Sequence, residues 1–221
     1  MTGSEAPQET RVRRTRGRPR DPQLEDRALA ATLEVFGETG WVGLTIDEVA
    51  ARSRVGKSSI YLRWKDKETL LAAALRQTQQ PPGTHDDVVF PASPAPTTAD
   101  APLREYLIDH ATRRSELYLG PHGLAMLRLY VEAWAFPEVF ADIRREAITD
   151  FVLTERRRVE AAIRAGDLGP NASAVQILDA IEGSVLMHVL VTPPDLLDRV
   201  RSNLPEYIEQ LVDNQLRAAA I

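Results

Sequence analysis

Between Leu44 and Leu70 the chain compresses the start of one helix, a break, a second short helix and the start of a third, and few folds accommodate that. Thr45 with Glu48 three residues on is a capping box, in which the hydroxyl accepts from the residue-48 N–H and the carboxylate reaches back to that of residue 45. Leu44 and Val49 form the matching hydrophobic staple, so a helix begins at Ile46 and buries Ile46, Val49 and Ala50. Ser53, Arg54 and Val55 interrupt the periodicity. It resumes over Lys57 to Trp64, with Ile60 and Trp64 on one face and Lys57, Ser58, Tyr61 and Arg63 largely elsewhere. Two short helices joined by a tight turn are the geometry of a helix-turn-helix.

Thr45-Ile46-Asp47-Glu48-Val49-Ala50, Val55-Gly56-Lys57, Ile60-Tyr61-Leu62-Arg63-Trp64 and Lys67-Glu68-Thr69-Leu70 together resemble the DNA-binding domain of TetR-family transcriptional regulators. The resemblance spans Asp21 to Leu75. Arg54 stands where such proteins usually carry a turn glycine, and a left-handed conformation there costs about 1–2 kcal/mol. Lys65-Asp66 replaces a common Pro-Ser, with Asp66 still able to cap the next helix. Leu62 occupies a position where a polar residue is frequent. The resemblance implies that Thr45, Tyr61 and Lys67 hold phosphates, the last at a helix N-terminus.

The net charge of −5 is unevenly distributed. Residues 1–80 carry 14 Lys and Arg against 11 Asp and Glu, whereas residues 81–221 carry 13 against 21. Within the basic part, 52–65 holds five cations and no acid, and 11–20 holds six arginines and no acid; these are candidate phosphate contacts. The chain has no cysteine, which excludes disulfides, thiolate metal sites and cysteine nucleophiles. No apolar run approaches the roughly 18 residues of a membrane span, and the basic N-terminus is not followed by a signal-peptide core, so a cytoplasmic protein is expected.

The pattern predicts an all-α chain: a three-helix helix-turn-helix domain followed by a helical bundle for ligand binding and dimerisation. Residues 1–20 read as a disordered basic arm, 21–66 as the DNA-binding domain, and 67–221 as the effector and dimerisation domain with a proline-rich loop at 81–102. Asp21-Pro22 reads as a cap followed by a first-turn proline, and Gly40 ends the first helix. A fourth helix, Lys67–Gln79, links the head to the rest. Further helices are predicted at Leu103–Leu119, Gly123–Trp134, Glu138–Ala165, Ala172–Val191 and Leu204–Ala219, with a turn of helix at Pro194–Arg201.

On the reading helix, Lys57, Ser58 and Ser59 are placed for base edges, with Tyr61, Arg63 and Lys65 at the groove wall. Arg16, Arg18 and Arg20 lie in an RGRPR run like an AT-hook, suited to a narrow minor groove, against the plainer reading of a nonspecific basic arm. Tyr106, His110, Leu117, Met126, Tyr130, Trp134 and Phe151 are candidate ligand contacts, although aromatics at helical spacing are more often plain core. Val185, Val189, Tyr207, Ile208, Leu211 and Val212 are candidates for a four-helix dimer interface, which the resemblance also implies. Single histidines without ligand spacing predict no metal, and no cofactor or catalytic constellation is expected.

These readings predict a homodimeric, sequence-specific regulator, a repressor released from a palindromic double-stranded operator by a small, mostly apolar effector. The competing reading is an effector-independent or protein-partner-controlled architectural binder; an enzyme is not expected.

Overall fold

The computed structural model describes residues 23–78, 101–145 and 149–220, with the side chains of Asp150 and Phe151 excepted. The expected cap at Asp21-Pro22, the arm and the loop at 81–100 lie outside the described residues.

Among the described residues the chain is helical throughout. Helix α1 spans Gln23–Gly43, α2 Ile46–Ser53, α3 Lys57–Tyr61 and α4 Lys67–Gln77. Helix α5 spans Leu103–Leu119, α6 Gly123–Ala135, α7 Ala141–Arg144 and α8 Asp150–Ala165. Helix α9 spans Ala174–Leu190, and a 3-10 turn at Pro194–Leu196 leads into α10, Leu197–Ala219. No single helix among them is long and apolar enough to cross a membrane.

In the first four helices, Leu33, Val35 and Phe36 of α1 meet Val49, Ile60, Leu70, Leu71 and Leu75 in one buried core. The short helices α2 and α3 each donate only one of these side chains, so their position depends on the other helices more than on their own propensity. Thr45 caps α2 by accepting from Glu48 N at 3.2 Å, and Leu44 and Val49 are fully buried as the staple requires. The Glu48 carboxylate, expected to return to Thr45, instead accepts from Arg52 at 3.3 Å. Reciprocal capping occurs at α4, where Asp66 Oδ1 accepts from Thr69 N at 2.9 Å and Thr69 Oγ1 accepts from Asp66 N at 3.2 Å. Arg54 ends α2 in the left-handed region, at φ 56° and ψ 32°.

Of the expected helix boundaries, one is met and two are corrected. Gly40 breaks α1 at non-helical φ 70° and ψ −172°, and a further turn follows to Gly43. The helix expected over 138–165 begins at Ala141, with residues 138–140 in a turn; residues 146–148 lie outside the described set. Helix α10 starts at Leu197 and passes through Pro205, which is exposed, so water can take up the Arg201 carbonyl that the missing proline N–H leaves unpaired.

Candidate DNA-reading head and effector cleft

Helix α3 buries Ile60, and Trp64 follows it into the core, which turns Lys57, Ser58, Tyr61, Arg63 and Lys65 outward; Ser59 is half-buried and Thr45 exposed. Leu62 stands among them, 84% exposed. Lys57 Nζ is 2.6 Å from Asp47 Oδ1, and Arg63 reaches the Ser59 carbonyl at 3.4 Å. Both side chains remain near the surface, where such contacts are weak enough to be exchanged for a phosphate or a base. Arg16, Arg18 and Arg20 lie outside the described residues.

Lys67 departs from expectation. Its ammonium donates to the carbonyls of Trp41 at 2.9 Å and Leu44 at 3.3 Å, and sits 3.8 Å from the Trp41 ring centroid. Burial holds its pKa below the ordinary lysine value. The side chain thus ties the α1–α2 connection to the start of α4 instead of extending to a phosphate.

The peptide groups of Trp41 are held from the opposite side by α6. Glu132 Oε1 accepts from Trp41 N at 3.2 Å, and Arg128 Nε donates to the Gly37 carbonyl at 3.0 Å. Close approach here requires glycine at position 40: φ is positive, and a Cβ would overlap Glu132 Oε1 and come within 2.9 Å of Arg128 Nη1. Phe140 completes the joint, 5.7 Å from Trp41 and 6.1 Å from Phe36 between ring centroids. The joint therefore involves α6 as well as α4, the helix expected to make the link.

A cleft of about 190 Å³ opens among α5, α6, α8 and α9. At its base Tyr106, His110, Arg114 and Tyr118 recur every fourth residue along the buried face of α5. His110, 1% exposed, lies between two carboxylates, with Nε2 2.6 Å from Glu182 and Nδ1 3.1 Å from Glu155. Burial opposes its charge, yet the bonds to Glu155 and Glu182 prevail and raise its pKa. Burial likewise opposes the charges of Glu155 and Glu182, and His110, joined at Glu182 by Arg114, holds both pKa values below the ordinary one. Arg114 Nε donates to Glu182 at 3.1 Å, while Nη2 donates to the hydroxyls of Tyr118 and Tyr130. Val152, Leu178 and Leu186 supply apolar wall, with Arg156 and Asp179 also in the lining.

Of the expected ligand contacts, His110 and Tyr130 line this cleft. Tyr106 stands behind it, donating to Glu155. Met126 is buried at the end of α4, where its sulfur accepts from Thr78 at 3.7 Å, and Leu117 is half-buried outside the lining. Trp134 is 84% exposed because it faces away from the core on α6. The Phe151 side chain lies outside the described residues. Arg114, Glu155 and Glu182 were not anticipated, since isolated charges on helices usually face solvent; the four-residue spacing of Tyr106, His110, Arg114 and Tyr118 was the available signal.

Residues 28–74 match the family model described as bacterial regulatory proteins of the tetR family. The DNA-binding head is thus of the TetR type. It is 23% identical over 202 residues to the HTH-type transcriptional regulator YdeS of Bacillus subtilis (strain 168), covering 91% of this chain and 92% of that one. It is 27% identical over 210 residues to an HTH-type transcriptional regulator of Mycobacterium tuberculosis (strain ATCC 25618 / H37Rv), covering 86% and 91%. The fold is similar to that of a chain described as a TetR-family regulator from Mesorhizobium loti MAFF303099, with TM-score 0.61, 15% identity, and coverage of 92% and 100%.

In this chain with a TetR-type head, several residues expected at a dimer interface are already used inside the single chain. Val185, Val189, Ile208 and Val212 are buried between α9, α10 and the rest of the bundle. Tyr207 and Leu211 are half-buried, with the Tyr207 ring stacked on His188 at 4.3 Å. The outward apolar side chains of α9 are Val175, Met187 and Leu190, followed by Val191.

Proposed function

We propose that this protein is a TetR-family homodimeric repressor that binds a palindromic operator and is released when a small molecule with a mostly apolar body occupies the cleft. In this reading residues 1–20 are a basic arm contributing Arg16, Arg18 and Arg20, residues 21–66 the reading head, and residues 67–221 the effector and dimerisation domain. Lys57, Ser58 and Ser59 approach base edges, and Thr45, Tyr61, Arg63 and Lys65 approach phosphates. The exposed face of α9, with Tyr207 and Leu211 of α10, supports pairing of two copies, since exposed apolar side chains grouped on one face favour self-association. The reading places the protein in the cytoplasm, with its DNA.

One observation carries the effector-released part: α6 bears Tyr130 in the cleft wall and, within one turn on either side, Arg128 and Glu132 on the head. A ligand that moves α6 disturbs both at once, and it shifts the DNA-binding equilibrium by as much as its affinities for the two states differ. The test is selection of genomic fragments by the purified protein at near-physiological salt, followed by sequencing. A dyad-symmetric site recovered repeatedly supports the operator reading; retention of unrelated fragments supports an architectural binder instead.

A further inference from the structure

The buried acids of the cleft already have partners. Glu182 binds His110 and Arg114, and Glu155 binds His110 and Tyr106. Both carboxylates are thus engaged by His110, with Arg114 on one and Tyr106 on the other, so neither is left without a partner for a cationic ligand to supply.

Donors, by contrast, are in surplus. Tyr118 and Tyr130 both accept from Arg114 and lie 3.2 Å apart, so one hydroxyl proton serves that contact and the other has no acceptor among the described residues. Arg156 of α8 lines the same cleft, and its Nε is buried without a hydrogen-bond partner. An unpaired N–H in such a wall is penalised until something supplies an acceptor. Val152, Leu178 and Leu186 provide the apolar surface of the same cleft.

Resting on the reading of this cleft as the effector site, we infer that its ligand is an amphipathic organic acid, with the carboxylate on Arg156 and the apolar body along Val152, Leu178 and Leu186. The planar guanidinium suits a carboxylate, and the bond is charge-assisted. Asp179 lies on α9, exposed and therefore screened by water, and its charge favours the ligand carboxylate on the α8 side.

Calorimetric titration of the full chain with octanoate, octan-1-ol, octylamine and 4-phenylbutanoate tests this. At least one of the two acids is expected to bind about tenfold or more tightly than the alcohol, with the amine weakest. Arg156→Gln should lower acid affinity to the level of the alcohol. Gly183→Phe should abolish binding of every probe, because a Cβ at Gly183 meets nothing within 4 Å and the ring beyond it has room to occupy the cleft. If the alcohol or the amine matches the acids, if neither acid binds, or if Arg156→Gln changes nothing, the acid inference is overturned. Acid binding that survives Gly183→Phe lies elsewhere, and that result overturns the reading of the cleft itself.

Discussion

Gly40→Ala probes the joint between the reading head and the bundle. At φ 70° and ψ −172°, Gly40 occupies a region that is essentially restricted to glycine, and placing alanine there costs about 1–3 kcal/mol. The added Cβ also overlaps Glu132 Oε1, the acceptor for the buried Trp41 N–H. Pushing that carboxylate away leaves a buried donor unsatisfied, which costs about another 1–3 kcal/mol. The expected loss is therefore about 2–6 kcal/mol, a large fraction of the roughly 5–15 kcal/mol by which a domain is stable. Urea denaturation of four proteins separates the two contributions: wild type, Gly40→Ala, Glu132→Ala and the double variant. In the Glu132→Ala background the backbone strain and the flexible Arg128 contact remain but the Glu132 overlap is gone, so Gly40→Ala should cost less there than in wild type. A cost below about 0.5 kcal/mol in wild type refutes the strain argument. An equal cost in both backgrounds removes Glu132 from it.

Arg54→Gly should stabilise the chain by about 0.5–1 kcal/mol, as relief of left-handed strain exceeds glycine's greater freedom when unfolded; Arg54→Ala, still left-handed, should show no such gain in the same denaturation. The His110 cluster predicts a stability maximum in pH. The raised His110 pKa contributes fully below its unfolded value of 6.5 and is lost as pH rises through the folded value. The lowered Glu155 and Glu182 contribute above their unfolded value of 4.5 and are lost as pH falls through the folded ones. Glu182→Gln should flatten both limbs of denaturation midpoint against pH, and an unchanged profile would rule the cluster out as its origin. Lys57→Ala should alter base preference in fragment selection, whereas a uniform loss over all sequences would assign Lys57 to the backbone. Leu190→Glu should yield monomers in analytical ultracentrifugation, and a retained dimer would move the interface off this face of α9.

The head was the most legible region because its signals are local. Thr45 and Leu44 announce α2, Asp66 announces α4, and the spacing of Ile60 and Trp64 orients α3, all within a few residues. The cleft was much less legible. Aromatic or flexible apolar character drew attention to Trp134, Met126 and Leu117, yet such character does not indicate which face of a helix meets a neighbour. Glu155 and Glu182 stand 45 and 72 residues beyond His110, and no local pattern shows that one imidazole meets both.

By itself, the sequence determined the all-helical character, the helix-turn-helix and the outward basic face of α3, since periodicity, caps and charge act over one or two turns. Only the tertiary structure decided that Lys67 turns inward to Trp41 and that Val185 and Ile208 belong to the protomer's own core. It alone brought His110, Arg114, Glu155 and Glu182 into one buried cluster. Those outcomes depend on which helices pack together, and a buried charge is tolerated only where a partner from another helix arrives to meet it.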